Sequence, residues 1–194
     1  MMKRNDIERI ANDVLRKYHI TSAPFKHIEE ICKQENIQLK KANFSSSMDG
    51  AFAIIKNQKY IFYNPNVIEG RKNFTQAHEL GHYFLNHQLE EGNMISCHNK
   101  SVSENNLQSL PRIETEANYF ATYFLMPNQL MLREFDIITN TLRIDASRPL
   151  YIDHQSSNYK DWNFISRHFV SRFGISKEAL GYRLEALNKI YYNL

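Results

Sequence analysis

Cysteine is almost missing from this chain: Cys32 and Cys97 are the only two in 194 residues, and they form no CxxC pair. That excludes a disulfide framework and a cysteine-rich zinc knuckle, and it predicts free thiols in a reducing compartment. A long apolar run is missing too. The most apolar stretch, residues 117–126, is broken by Asn118 and Thr122, and it falls well short of the roughly 20 residues that cross a bilayer. The residues from Met1 to Arg9 lead straight into an amphipathic charged pattern, without the apolar stretch of a secretory signal. A soluble, cytoplasmic protein is therefore expected, with no membrane partner. Nor is there a block of one charge: the net +3 comes from 24 basic and 21 acidic residues, and their interspersion makes nucleic acid an unlikely direct ligand. Internal repeats and low-complexity segments are absent as well.

What remains is 42% hydrophobic residues, enough at this length for one buried core. The expectation is a single domain over 1–194, with a catalytic core at 1–135, an irregular insertion at 136–160 and C-terminal helices at 161–194. Asn5 and Glu8 read as a capping box, and Ile7, Ile10, Ala11, Val14, Leu15 and Tyr18 recur at helical spacing, so the pattern predicts a helix over 6–18. A second helix begins near Pro24, with Ile28, Ile31 and Cys32 inward. Strands are expected over 37–44, 51–55 and 60–63, the last two as a hairpin around Lys56-Asn57-Gln58-Lys59. Asn73 with Gln76 is expected to cap a helix that runs to about His87. Residues 92–111, rich in Ser and Asn, read as a long surface loop. A helix over 112–126 should stop at Pro127. Gly174 should end a helix bearing Trp162, Ile165, Phe169 and Phe173, and Ser176 should cap a last helix reaching Tyr191. Strands gathered in the first third and helices thereafter give an α+β class: a small N-terminal β-sheet on the helix with the chemistry, and a largely helical C-terminal half.

That chemistry lies in His78-Glu79-Leu80-Gly81-His82. Two histidines at i and i+4 project from one helix face toward a common point, which sets two ligands of a zinc ion by local geometry. With the chain's own histidine and glutamate content, chance HExxH occurs at roughly 0.02 per chain. Glu79 stands beside the pair as a general base for the hydrolytic water. Gly81 is a poor helix former, which a close approach by a neighbouring element explains. A catalytic zinc needs a third protein ligand and an open position. His87 does not fit the HExxHxxGxxH spacing. Glu114 is the better candidate, with Glu116 in reserve; Asn118, one turn after Glu114, is placed to accept a hydrogen bond from a ligand histidine's free ring nitrogen. Tyr63, Tyr119 and Tyr123 are candidate oxyanion donors with nothing to choose between them.

Two blocks together, Asn73 to His82 and Glu114 to Pro127, resemble the ImmA/IrrE family of zinc metallopeptidases, and the run from Phe173 to Leu187 is similar to that family's C-terminal helices. The resemblance implies a zincin-like fold, zinc on His78, His82 and Glu114, and cleavage of a helix-turn-helix transcriptional repressor in a prophage, mobile element or stress response. The segments 88–111 and 136–160 depart most from it and are where substrate choice is expected. A substrate strand could add to the 51–63 hairpin edge. The rival reading is a zinc-containing regulatory or toxin–antitoxin protein that acts by binding a partner or DNA with little proteolysis. Its support is the helix-turn-helix-like segment 175–187, whose one arginine, one lysine and two glutamates suit packing better than phosphate contact.

Overall fold

A computed structural model describes residues 2–44, 48–87, 94–98 and 111–192. Its first helix, α1 (Arg4–Lys17), buries Ile7, Ala11, Val14 and Leu15, the stripe that the sequence predicts. The expected capping box does not form. The helix starts at Arg4 with Lys3 in the cap position and no capping side chain, so Asn5 and Glu8 lie inside its first turns. A short 3-10 turn at Pro24–His27 leads into α2 (Ile28–Gln34), which buries Ile28, Ile31 and Cys32 as expected.

Four strands follow in the spatial order β1-β3-β2-β4: β1 (Ile37–Lys41), β2 (Met48–Ile55), β3 (Gln58–Tyr63) and β4 (Met94–His98). β2 and β3 form the expected hairpin, but Ile55 pairs with Gln58, so the turn is Lys56-Asn57 alone. Both residues have positive φ, 50° and 60°, the backbone that lets a two-residue turn follow the strands' twist. β1 pairs parallel with β3, and β4 pairs antiparallel with β2. Both edges of the hairpin are therefore covered, which overturns the expectation that a substrate strand adds there. Among the described residues, the sheet's free edges belong to β1 and β4. β4 also interrupts the segment expected to be a loop over 92–111; of the rest of that segment, all but Pro111 lies outside the described residues.

Helix α3 (Glu69–Phe84) packs on the sheet. It starts four residues before the expected cap, with Ile68 in the cap position. Asn73 is buried instead, and its side-chain amide donates to the Gly174 carbonyl at 2.8 Å, tying α3 to the end of a helix a hundred residues away. Arg71 of α3 and Asp49 of β2 form an ion pair at the sheet.

Helix α4 (Arg112–Leu125) runs against α3 and ends ahead of Pro127 as expected. Helix α5 (Asn128–Leu142) then continues through the first part of the segment expected to be irregular over 136–160. Its inward face carries Glu134 and Thr139 beside Met131 and Phe135, and those polar members break the apolar periodicity. A short strand, β5 (Leu150–Ile152), also lies in that segment and pairs parallel with β6 (Ile190–Tyr192). Helix α6 (Ser156–Phe173) begins within it too and ends on Gly174 at φ +61°. Ser176 caps α7 (Lys177–Ala186), its hydroxyl accepting from the Ala179 amide at 3.0 Å. This last helix is shorter than expected, because Tyr191 belongs to β6. Leu180 and Leu184 of α7 are fully buried. The Arg183 guanidinium donates to the Met126 carbonyl at 3.0 and 2.9 Å, so the segment's one arginine closes the end of α4. A single apolar cluster joins α1 through α7, with Trp162, Phe120, Phe124, Phe135 and Phe169 fully buried. Among the described residues, no helix is long and apolar enough to cross a membrane.

Glu35 follows α2 and holds three elements together, accepting hydrogen bonds from Lys17 and Tyr18 at the end of α1 and from Tyr83 of α3 at 2.6 Å. Burial pushes its pKa up, but the three donors outweigh burial and hold it at about 2, below the ordinary 4.5. A carboxylate depressed in this way contributes stability that is complete above its unfolded pKa and lost as the pH falls through its folded one. Glu35→Gln is expected to cost about 2 kcal/mol at neutral pH. Urea unfolding at a series of pH values checks this, with variant and wild type converging as the pH drops from 4.5 toward 2.

Candidate metal centre

His78 and His82 lie one turn apart on α3, and both are buried, at 1% and 0% exposure. α4 reaches them because Gly81 lets the two helices touch: a Cβ on Gly81 would stand 3.2 Å from the Cα and the carbonyl oxygen of Ala117. Phe84, Phe120 and Phe124 stack successively across and beyond this contact, at centroid distances of 5.8 and 5.9 Å. The close approach expected from the glycine in the motif is thus a helix–helix contact.

At this crossing Glu114 meets both histidines. His78 Nε2 lies 3.2 Å from one Glu114 oxygen and His82 Nε2 lies 3.4 Å from the other, while the two Nε2 atoms are 3.0 Å apart. A tetrahedral zinc with bonds of about 2.0–2.1 Å requires donor atoms about 3.3 Å from one another. The nearest separations have that size, each histidine facing its own Glu114 oxygen, and the two imidazoles and one carboxylate are the donor types that zinc takes while keeping a fourth position open. Among the described residues, His78, His82 and Glu114 are the group of such donors that lies together. Burial, followed by the neighbouring rings of His78 and His87, pushes the His82 pKa down to about 2, so that ring is neutral, as a ligand must be.

Asn118 lies behind His78. Its side-chain oxygen is 2.9 Å from His78 Nδ1; an amide oxygen only accepts, so Nδ1 carries the proton and the Nε2 lone pair faces the triangle. His87 and Glu116 are not corners of it. His87 Nδ1 lies 2.8 Å from His82 Nδ1, and its Nε2 lies 3.2 Å from Glu116. Burial pushes the Glu116 pKa up, but Arg112, the Met2 backbone N–H and His87 together bring it below the ordinary range. Two of the candidate tyrosines are engaged by cations: Arg4 lies over the Tyr119 ring at 4.4 Å and Arg183 over Tyr123 at 5.0 Å. The Cys97 and His98 side chains lie outside the described residues.

Glu79 is fully buried, and among the described residues neither carboxylate oxygen accepts a hydrogen bond of full geometry, the Phe52 backbone N–H being the group that comes near enough to act on it. Burial raises its pKa well above 4.5, the Glu114 charge adds to this, and the Phe52 backbone opposes both. An unpaired buried carboxylate is costly, and this one is orphaned beside three metal-type donors, where a cation would compensate it. Room for it depends on Gly50 of β2, where a Cβ would come 2.3 Å from the Thr75 methyl and 3.2 Å from Glu79 Oε1. The requirement at Gly50 has no signal in the sequence, because it arises from strand-to-helix packing.

In this α+β fold, helix α3 under a small sheet and a glutamate brought up on a second helix place together a group of side chains that could hold a metal ion. Comparison with known families then specifies it. The profile of the Peptidase M78 family, described as the IrrE N-terminal-like domain, matches residues 32–185, and the chain belongs to that family, as its motifs led one to expect. The chain is also 29% identical over 122 residues to "Uncharacterized immunity region protein 2" of Bacillus phage phi105, covering 63% of this chain and 69% of the phage protein.

Gly81→Ala separates packing from helix propensity. Alanine favours an isolated helix by about 1 kcal/mol, whereas forcing α3 and α4 apart costs about 1–3 kcal/mol. The expected outcome is a net loss of stability in denaturant unfolding, together with weaker metal binding because Glu114 recedes from the histidines. A more stable variant with unchanged metal affinity would show that the contact is slack.

Proposed function

We propose that this protein is a zinc-dependent endopeptidase that hydrolyses a peptide bond in a helix-turn-helix transcriptional repressor in the cytoplasm. The observation that carries the proposal is the 3.0–3.4 Å triangle of His78, His82 and Glu114, with an orphaned carboxylate next to it. Membership of the M78 family supports the peptidase class, and the phage immunity-region relative supports a repressor as substrate.

In this reading His78, His82 and Glu114 hold the zinc, and Asn118 orients His78. When bound, the ion supplies Lewis-acid polarisation of a water and of the scissile carbonyl. Glu79 would accept a proton from the attacking water at a carboxylate oxygen as the water oxygen adds to the carbonyl carbon. It then delivers the proton to the leaving nitrogen as the C–N bond breaks. Its burial suits it to both steps, since it weakens the bias toward the ionised form. The repressor would approach as an extended strand on the edge of β4 that is unpaired among the described residues, whose partner β2 carries Gly50 opposite Cys97 and Ala51 opposite Ser96, with Gly50 next to Glu79. Strand addition satisfies the substrate backbone without reading each side chain.

Metal analysis combined with incubation against the repressor encoded beside this protein's gene tests the reading. Wild type is expected to hold one zinc and to produce defined fragments; Glu79→Gln should retain zinc and lose about 10²–10⁴-fold in cleavage rate. If the biological effect of Glu79→Gln equals that of wild type, the protein acts by binding and not by proteolysis. Glu114→Ala should lose most of its zinc at concentrations that saturate wild type, and equal zinc content would remove Glu114 from the ligand set. Asn118→Ala should weaken zinc binding or activity by about 10–100-fold.

A further inference from the structure

We infer that His87 and Glu116 form a positioning relay behind the metal site, which locks His82 in the tautomer that presents its Nε2 lone pair to the metal. The inference rests on the metal-site reading above and extends it to two residues that do not belong to the triangle.

The geometry begins with the end of α3. Asn86 has φ +54°, and the His87 amide donates back to the His82 carbonyl at 3.0 Å. This is the left-handed helix end in which the second residue past the cap returns to the carbonyl five positions earlier. It folds His87 over the last turn and places its ring against His82, at a centroid distance of 5.0 Å. The backbone therefore delivers an imidazole to the rear nitrogen of a metal-type histidine.

The protons along the chain of contacts can then be assigned in only one way. His82 Nε2 faces the triangle, so a metal there requires it bare and puts the proton on Nδ1. His87 Nδ1, 2.8 Å away, must then accept, which leaves the His87 proton on Nε2. That Nε2–H points at Glu116 Oε2, 3.2 Å away, and a carboxylate only accepts. Glu116 is fixed in turn by the Arg112 Nε–H at 2.8 Å and the Met2 backbone N–H at 2.6 Å, both on its other oxygen. The His87 and Glu116 side chains are only 6% and 4% exposed, so water competes little with any link. Each histidine of the HExxH pair thus has its own acceptor behind it: a neutral amide for His78, and an imidazole backed by a carboxylate for His82. The second arrangement makes His82 the more basic ligand.

The test is the zinc dissociation constant of purified protein, measured by competition with a chromogenic chelator. His87→Leu is expected to bind zinc about 10–100-fold more weakly than wild type. His87→Asn keeps an acceptor near Nδ1 and is expected to recover most of that loss, which a space-filling role would not predict. Nitrogen-15 NMR of zinc-loaded wild type supplies a signature independent of any variant: His82 protonated on Nδ1 and His87 on Nε2. Thermal unfolding in chelator reports whether the variants fold; should His87→Leu fail, the asparagine variant and the NMR tautomers decide the matter. Affinity within twofold of wild type for His87→Leu, equal weakness of the leucine and asparagine variants, or a proton on His87 Nδ1 would each overturn the relay. Wild type that takes up no zinc would instead overturn the metal-site reading, and the relay with it.

Discussion

Everything at this site depends on backbone contact between α3 and α4 at Gly81 and Ala117. Helices ordinarily pack 8–10 Å apart, depending on the side chains at the crossing; a glycine facing an alanine gives the close end of that range. Because α4 is a rigid element, the one contact sets the positions of Glu114, Glu116 and Asn118 together. Glu114 and Asn118 are one turn apart and face α3, one at the triangle and one behind His78. Glu116, on another side of the same helix, reaches α3 through His87. A small change in the interhelical distance would disturb the ligand and both histidine supports at once. The stacked rings of Phe84, Phe120 and Phe124 resist that change with buried area as well as ring geometry.

Such a site is a local debit in folding free energy. Glu79 is buried with no hydrogen bond of full geometry among the described residues, and the neutral His82 presents a lone pair to another nitrogen and to a carboxylate. Stabilising contacts surround it on every side that the sheet and helices offer. Asp49 and Arg71 join β2 to the start of α3, Asn73 joins α3 to Gly174, and Glu35 joins α1, α2 and the end of α3. All three are polar groups removed from much of the solvent, where a satisfied bond is worth more than at the surface and a broken one costs more. The helix with the chemistry is thus pinned along its length by groups that take no part in the chemistry.

How much of this could be read in advance follows from the range of each interaction. The one-turn spacing of His78 and His82, and of Glu114 and Asn118, is legible because helical periodicity sets it with no knowledge of the fold; the meeting of the two helices is not. Asn73 misled for the opposite reason: an asparagine ahead of an apolar run looks like a cap, yet its amide is committed to a carbonyl far along the chain. Glu134 and Thr139 concealed α5, since a polar residue on an inward face is indistinguishable from an exposed one until its partners are known; Glu134 in fact meets His168 and Arg172 of α6. The strand order was beyond reach, because pairing β4 with β2 depends on contacts between residues more than forty positions apart. His87 had a local signal that spacing rules for metal ligands pass over. An asparagine ahead of it, at the end of a helical run, is the mark of a left-handed helix end.

The same topology distinguishes the two segments in which substrate choice was expected. The one at 136–160 holds the end of α5, β5 and the start of α6, with β5 paired to β6 and α5 joined to α6 through Glu134. The one at 88–111 follows His87, three residues past the end of α3, and runs up to Arg112 at the start of α4, so each of its ends adjoins a residue that contacts Glu116. Within it, β4 lies along β2 beside Gly50 and Glu79. Of the two segments, it is therefore this one whose described flanks reach the groups behind His82.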